Sequence, residues 1–294
     1  MPLTIDSHLL QARFKDYTTT VSERATKNFA AALHDANSVY FDDLRPDKIV
    51  APPTFPVALT WPIIAHLNDF LEGVSFPQNV LPTIVHTGEQ LILHHPVSPG
   101  TSLLIRTKIV ALLPHKNGTQ LFLRFEAFDK ENMPVFTEIT GALLRNVSCT
   151  GPCGGKENLP APPVMPPEPS LLWKKALFID PLLPYVYDGC TDIVFPIHTS
   201  RRFARQVGLP DILLQGTATL GLVVREIVST ELKSRPQAVQ VIQARFSGMI
   251  FPGTEIRLHL FRGKEKQALR DFHFIVLDGD NQAVIKEGFL RAGG

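Results

Sequence analysis

The residues best suited to chemistry lie in one stretch, residues 187–221. It contains His198 after a Pro-Ile pair and, 18 residues later, Gly216 at the start of a strongly apolar segment. A neutral imidazole can take up and return a proton near neutral pH. A backbone N–H at a helix N-terminus can donate to a polarised carbonyl, and the positive end of the helix dipole strengthens that bond. The stretch therefore predicts a site that handles an activated carbonyl compound.

Each of these residues also allows a purely structural interpretation. His198 could be a hydrogen-bonded core or loop histidine, and Gly216 could simply permit close packing in a turn. Asp192 is the natural second polar group, either holding a water molecule or orienting the histidine. Asp192 could instead be a solvated loop carboxylate or a helix cap. Asp188 and Tyr187 are weaker candidates for the second polar group. We predict that the catalytic residues are His198, Asp192 and Gly216.

The overall charge limits the ligands that suit this chain. Its 29 Lys and Arg residues nearly balance 28 Asp and Glu residues, which leaves a net charge of +1. Such a surface offers no field for nucleic acid or for an anionic membrane, so neither is an expected partner. An anionic ligand would need a local basic pocket, and Arg201 and Arg202 are the basic residues nearest to His198 in the chain.

Cysteines and termini predict the cellular setting. Cys149 and Cys153 have the spacing of half a metal site, but no second Cys or His pair completes it, so we predict free thiols, no metal and no cofactor. The N-terminus lacks the pattern of a signal peptide, and the C-terminus carries no recognisable address. No apolar run approaches the roughly 18 residues of a membrane span. We expect a soluble intracellular protein, cytoplasmic by default, with mitochondrial and peroxisomal locations left open.

Hydrophobic periodicity divides the chain into two similar halves. Each half has the pattern of helices followed by four strands rich in β-branched and aromatic residues. Residues 148–170 are dense in Pro and Gly and predict a tether between the halves. The predicted helices cover residues 18–36, 58–70, 201–207 and 215–228. The predicted strands cover residues 84–95, 102–113, 120–129, 135–146, 239–247, 255–262, 270–278 and 283–291.

Three sequence echoes indicate that the second half duplicates the first. They occur in the same order and at equivalent strands or turns: VSPGT (97–101) and IFPGT (250–254), Asp129…Asn132 and Asp278…Asn281, Gly141…Leu144-Arg145 and Gly288…Leu290-Arg291. One match would be noise, but three in order predict an internal repeat. The expected domains are residues 1–147, the linker 148–170, and residues 171–294, which carry the site.

The repeated unit resembles the hot-dog fold of the MaoC-like hydratase/dehydratase family. In this α+β fold a curved antiparallel sheet wraps a long helix, and the resemblance to residues 18–147 and 171–292 implies the double hot-dog form. The family signature is (S/T)GD-x-N-P-(I/L)-H, a helix containing Phe-Ala, then Gly-Phe, then (I/V)-(V/L)-H-G. Its matches here are Pro196-Ile197-His198, Phe203-Ala204, Gly208-Leu209 and Leu213-Leu214-Gln215-Gly216.

Two positions depart from the signature. The family's catalytic aspartate stands five residues before the histidine, where this chain has Ile193, and its asparagine position is Phe195. Asp192 comes one residue too early, and in an extended segment that slip turns the side chain to the opposite face.

The motif spacing is nearer to the fungal mitochondrial dehydratase and mesaconyl-type hydratase branch. The Tyr, Thr and Ile-His of that branch match Tyr187, Thr191 and Ile197-His198. Residues 29–42 look like a degenerate copy of the signature, with Tyr40 where a working copy has histidine. We therefore expect one site per chain, in the second unit.

The resemblance implies a lyase that interconverts (3R)-3-hydroxyacyl and trans-2-enoyl thioesters of CoA or acyl carrier protein, in lipid or polyketide metabolism. The alternatives are a hot-dog isomerase, cyclase or thioesterase that uses His198 in an apolar cavity, or a non-catalytic member. A two-unit chain already supplies the pairing of single units, so monomer and homodimer both stay open. The candidates for substrate binding are Tyr187, Phe195, Gln215, Arg201 and Arg202, and those for lining an acyl channel are Phe55, Trp61, Phe195 and Phe251.

Overall fold

The first unit places short N-terminal strands and helices before four long strands. The computed structural model describes residues 3–293. The helices of this unit are α1 (Glu23–Ala32), α2 (Pro56–Ala65) and α3 (Leu67–Phe70). Its strands are β1 (Leu3–Asp6), β2 (Arg13–Phe14), β3 (Tyr17–Thr20), β4 (Leu71–Glu72), β5 (Ile84–Leu93), β6 (Ser102–His115), β7 (Gly118–Phe128), β8 (Pro134–Arg145) and β9 (Val147–Thr150).

The second unit repeats this plan. Its helices are α4 (Leu183–Thr191), α5 (Arg201–Gln206) and α6 (Gly216–Glu231). Its strands are β10 (Leu171–Phe178), β11 (Val239–Phe246), β12 (Glu255–Lys266), β13 (Leu269–Leu277) and β14 (Ala283–Gly293).

One antiparallel sheet of ten strands joins the two units edge to edge. Its order is β10-β12-β13-β14-β11 in the second unit, followed by β5-β8-β7-β6-β3 in the first. The central joint pairs β11 with β5, from Val241 opposite Ile92 to Arg245 opposite Gly88. Because the order within one unit mirrors the order within the other, the predicted α+β double hot-dog fold is confirmed.

The sequence echoes correspond to equivalent backbone turns. Gly100 and Gly253 both have φ of 82°. Asn132 and Asn281 both occupy the left-handed region, at φ of 58° and 61°, which asparagine tolerates better than most residues. The repeated residues are therefore those that the same turns require.

The long helix α6 is covered by the sheet, but its counterpart in the first unit is broken. Residues 58–70 do not form the single predicted helix, because Pro62 removes one helical hydrogen bond and α2 ends three residues later, before the short α3. At 1.5 Å per residue, the ten residues of α2 reach about 15 Å and the sixteen of α6 about 24 Å. The shorter helix leaves space where the two units meet.

Two further predicted segments have a different structure. Residues 18–20, expected to begin a helix, belong to β3 beside β6, and Ser22 caps α1 by accepting the Ala25 N–H at 3.4 Å. The segment at Asp192, expected to be extended, instead ends helix α4, with Asp192 as its C-cap at φ 56°.

The beginning of the predicted linker is ordered against the first unit. Strand β9 pairs in parallel with β1 over residues 147–150. Gly154 and Leu112 exchange two backbone hydrogen bonds of 2.9 and 3.0 Å. The packing of the first unit therefore extends beyond residue 147. No helix within residues 3–293 is both long and apolar enough to cross a membrane.

Candidate functional site

A cavity of about 310 Å³ lies between the two units. This volume falls in the range of small-molecule sites in proteins, roughly 300–1,000 Å³. The second unit contributes the loop before α5 and the first turn of α6, and the first unit contributes its broken helix and the strands β5, β7 and β8. The residues that matter for the chemistry below are Trp61, His86, Glu89, Glu138, Phe195, His198, Gln215, Gly216 and Thr217.

The imidazole of His198 is held in one orientation. Its Nδ1 lies 2.8 Å from the carbonyl oxygen of Leu213. A carbonyl can only accept a hydrogen bond, so Nδ1 carries the proton and Nε2 keeps its lone pair. Nε2 is therefore the nitrogen that can accept a proton from a ligand in the cavity.

Backbone hydrogen bonds bring His198 beside the start of α6. Leu213 N–H donates to Ile197 at 3.2 Å, and Leu214 N–H donates to Ile250 at 2.9 Å. Helix α5 lies in the connection between residues 198 and 213. Its N-cap residue Ser200 accepts the Phe203 N–H at 3.2 Å. These contacts therefore bring together His198 and Gly216, which are 18 residues apart in the chain.

Burial sets the charge of His198. The surrounding apolar residues lower the pKa of His198 to about 4, and the nearby His86 adds to that effect, although the bond to Leu213 opposes it. The ring is therefore neutral at physiological pH and can act as a proton acceptor.

The first turn of α6 offers free backbone donors. Within the described chain, the Gly216 N–H has no bonded acceptor, and the preceding Gln215 makes no side-chain cap. The Gln215 amide instead donates to the Pro184 carbonyl at 3.1 Å. A Cβ on residue 216 would lie 3.3 Å from the Phe246 ring. Glycine therefore leaves room for a ligand to reach the first turn of α6.

The predicted site residues divide into two groups. Phe195 and Gln215 line the cavity with His198 and Gly216, as does Trp61 of the proposed acyl channel. The structure does not bring the others there. Phe55 and Phe251 are outside the lining.

Asp192, Arg201 and Arg202 are exposed side chains outside the cavity. The helical turn that ends α4 leaves Asp192 in solvent, whereas an extended segment was expected. Arg201 forms an ion pair with Asp211 at 3.0 Å on the surface. Tyr187 is fully buried outside the cavity lining and packs edge-on against Phe29, with ring centroids 5.8 Å apart.

The first unit supplies polar groups that the sequence analysis missed. His86, Glu89 and Glu138 line the cavity that holds His198. The spacing of His86 and Glu89 would put them on opposite faces of a regular strand, but a β-bulge between His86 and Gly88 turns both inward. A signal existed, because glutamates that sit among apolar strand residues are unusual and rarely buried without purpose.

These groups form a hydrogen-bonded cluster. His86 Nε2 lies 3.1 Å from Glu89 Oε2 and 3.0 Å from both Thr140 Oγ1 and the Gly88 carbonyl oxygen. Thr60 Oγ1 contacts both oxygens of Glu138, at 3.1 and 3.0 Å. Burial raises the pKa of Glu89 and of Glu138, and the neighbouring Glu89 raises that of Glu138 further. Burial lowers the pKa of His86 to about 4.

A second cavity of about 650 Å³ lies on the outer face of the sheet, beside residues 159–162 of the linker. Pairing of β11 with β5 ends at Arg245 and Gly88, and residues beyond that point border both cavities. The exposed Lys116 and Lys286 border the outer cavity, and neither forms an ion pair within residues 3–293. The residues common to both cavities are Val85, His86, Glu89, Phe246, Gly248 and Met249.

Family models match both units. Residues 9–138 match the FAS1-like dehydratase domain region, and residues 187–277 match the MaoC like domain. The second unit belongs to the MaoC-like family. The MaoC like match includes His198 and Gly216, whereas His86 and Glu89 fall within the FAS1-like match.

Known proteins similar to this MaoC-like chain include two curated relatives and a solved structure. It is 23% identical over 267 residues to the peroxisomal multifunctional enzyme type 2 of Drosophila melanogaster, a match that covers 86% of this chain and 42% of that protein. It is 25% identical over 182 residues to an enoyl-CoA hydratase of Mycobacterium tuberculosis, covering 62% of each. The chain thus spans less than two thirds of the length of these curated relatives. A MaoC-like dehydratase from Phytophthora capsici shares the fold at a TM-score of 0.79 and 19% identity, over 97% of both chains.

Proposed function

We propose that this MaoC-like chain is a lyase that interconverts (3R)-3-hydroxyacyl and trans-2-enoyl thioesters. The observation that carries the proposal is that neutral His198 and the uncapped start of α6 border the same cavity. The enoyl-CoA hydratase among its relatives supports the reaction type. The (3R) configuration rests on the family resemblance of the motif around His198.

The proposed dehydration uses these two features in one step. His198 Nε2 removes the proton from C2 of the 3-hydroxyacyl thioester, and the electron pair moves toward the thioester carbonyl. The Gly216 N–H donates to that carbonyl oxygen, where the helix dipole adds to the stabilisation of the developing negative charge. Expulsion of the 3-hydroxyl group then forms the double bond, and hydration is the reverse.

The walls of the two cavities suit the two ends of a thioester. Trp61, Leu121 and Leu123 give the inner cavity an apolar wall for the acyl chain. The outer cavity offers Lys116 and Lys286 to the phosphates of CoA or of a carrier-protein phosphopantetheine. We propose that the pantetheine arm passes beside the residues that border both cavities. This arrangement replaces Arg201 and Arg202 as the proposed phosphate contacts.

The alternative functions have less support. An isomerase, cyclase or thioesterase with His198 as the lone polar group does not suit a cavity that also contains His86, Glu89 and Glu138. A non-catalytic member would be expected to fill the space, and a cavity of about 310 Å³ is open. Monomer or homodimer stays a prediction. Among the locations that the sequence left open, the name of the Drosophila relative supports the peroxisome.

To test this proposal, purified protein is incubated with trans-2-enoyl-CoA of several chain lengths and, separately, with (3R)- and (3S)-3-hydroxyacyl-CoA, and the absorbance of the enoyl thioester is followed. We expect the enoyl absorbance to fall in the first case and to rise only with the (3R) substrate. The same acyl groups on acyl carrier protein would show which carrier is preferred. Absence of turnover with every CoA and carrier-protein substrate by folded protein would contradict the proposed lyase.

A further inference from the structure

We propose that Glu89 of the first unit is the second catalytic group of this site, the acid that protonates the leaving hydroxyl of the substrate. The inference rests on the proposed lyase function and adds a residue from outside the matched MaoC motif. It fills the place left by Ile193, which stands where the family has its aspartate, and by Asp192, which lies in solvent.

Glu89 is built into the cavity and is only 3% exposed. One carboxyl oxygen, Oε2, contacts His86 Nε2 at 3.1 Å. The other, Oε1, is buried and has no hydrogen-bond partner in the described chain. A buried polar atom without a partner destabilises the fold unless a ligand or water satisfies it. In a cavity bordered also by His198 and Gly216, that atom is positioned to meet a substrate hydroxyl or a water molecule.

Burial favours the protonated form that an acid requires, because it raises the pKa of the Glu89 carboxyl. Glu138 lies on β8, 1% exposed, and the charge of Glu89 raises the pKa of Glu138. Two neighbouring carboxyl groups in one buried site do not both ionise readily. Thr60 fixes both oxygens of Glu138, which leaves Glu89 as the carboxyl with a free oxygen. Glu138 and Thr60 are therefore positioning residues.

His86 holds Glu89 in place from the same strand. Its Nε2 lies within hydrogen-bond distance of Glu89 Oε2 and of the Gly88 carbonyl oxygen. Its ring packs against Phe246 at a centroid distance of 4.6 Å and an interplanar angle of 55°. The other titratable groups around Glu89 are Glu138 on β8, His198 in the loop before α5, and Tyr187 on α4, whose hydroxyl senses the Glu89 charge. The titration of Glu89 therefore depends on the charge states of these three groups and of His86.

The proposed step balances without a further reactant. In dehydration, His198 takes the C2 proton, the C2 electron pair forms the double bond, and the C3–O bond breaks as Glu89 gives its proton to the departing oxygen. Water, the enoyl thioester, imidazolium and carboxylate result. Transfer of one proton from His198 to Glu89, through the released water, restores both groups. In hydration the carboxylate removes a proton from water while the imidazolium protonates C2.

The experiment compares Glu89→Gln and Glu89→Asp with wild type in the hydration of trans-2-enoyl-CoA. Glutamine keeps the shape and removes the transferable proton, so we expect kcat to fall by about 100-fold or more, with little change in KM. Aspartate should recover part of the loss. Glu126→Gln is the matched control, because Glu126 is a half-buried strand glutamate outside the cavity, and it should retain wild-type kcat.

Two further readouts separate catalysis from structural support. In the wild type, kcat/KM for dehydration should decline on the alkaline side as Glu89 ionises, and Glu89→Gln should lose that decline. The infrared band of a buried protonated carboxyl should weaken in Glu89→Gln without any substrate. A Glu89→Gln variant with wild-type kcat, or with an unchanged alkaline decline, would overturn the inference alone. Absence of turnover by wild type would overturn the proposed lyase and the inference together.

Discussion

The Nδ1 atom of His198 lies 2.8 Å from the carbonyl oxygen of Leu213, three residues before the helix that begins at Gly216. This one bond fixes the tautomer of the proposed base and ties it to the segment that carries the proposed oxyanion donor. A displacement of either element would therefore move the other. Base and donor behave as one positioned unit, which is the arrangement that an enolate-forming step needs.

His198 should titrate far below an ordinary histidine. Burial lowers its pKa to about 4, so the ring stays neutral above that value and becomes protonated below it. We expect kcat/KM for dehydration to be flat from neutral pH down to about 5 and to fall below that. Nuclear magnetic resonance of the histidine ring protons, with His198→Gln to assign the signal, measures the same pKa directly. A titration near 6.5 would contradict the buried position.

A methyl group on residue 216 should impair catalysis. In Gly216→Ala the new Cβ would lie 3.3 Å from the Phe246 ring and would narrow the approach to the first turn of α6. We expect kcat to fall by about tenfold or more, because small displacements at a reacting centre are costly. Gly189→Ala is the control, since a Cβ there meets no atom within 4 Å. Equal kcat in both variants would argue against Gly216 as the donor position.

The lysines of the outer cavity should matter only for substrates that carry phosphates. Lys116→Gln and Lys286→Gln are each expected to raise KM for an enoyl-CoA by about 3- to 10-fold, the equivalent of up to about 1.4 kcal/mol. KM for a pantetheine thioester without phosphate should not change. Arg201→Gln and Arg202→Gln should leave both values unchanged, because these side chains lie outside the cavities. A larger rise in KM for enoyl-CoA in the arginine variants than in the lysine variants would place the phosphate site at the arginines instead.

The buried carboxyl pair should make the fold less stable as the pH rises. The pKa values of Glu89 and Glu138 are raised above the usual 4.5, so above pH 4.5 the native state holds protons that the unfolded chain has lost. The free energy of unfolding therefore decreases with increasing pH through that window. Denaturant unfolding should show a shallower decline for Glu138→Gln than for wild type. Parallel curves would mean that Glu138 is already ionised in the folded protein.

Part of the site could be predicted from sequence because it is local. His198, Gly216, Phe195 and Gln215 belong to one short motif whose spacing reflects a helix and two backbone contacts. Asp192 lies outside the cavity because α4 continues to Thr191 and turns the carboxylate outward, whereas the family signature implies an extended segment there. Arg201 is near His198 in the chain, but its side chain forms an ion pair with Asp211 on the surface.

The missing part of the site depends on long-range contacts. Glu89 and His86 reach the cavity only because β5 carries a bulge and because β5 pairs with β11 of the other unit. A bulge breaks the alternation on which strand assignments rest. The repeat pattern predicted the double fold, but no periodicity could place a residue of one unit in the cavity of the other.

The central claim is that His198 removes the C2 proton in a hydro-lyase reaction. The most direct measurement is the rate of trans-2-enoyl-CoA hydration by wild type beside His198→Ala, with the thermal unfolding midpoint of both proteins. We predict turnover by wild type and a loss of about 100-fold or more in kcat for a folded His198→Ala. Equal rates in the two proteins, or no hydration by folded wild type, would contradict the claim.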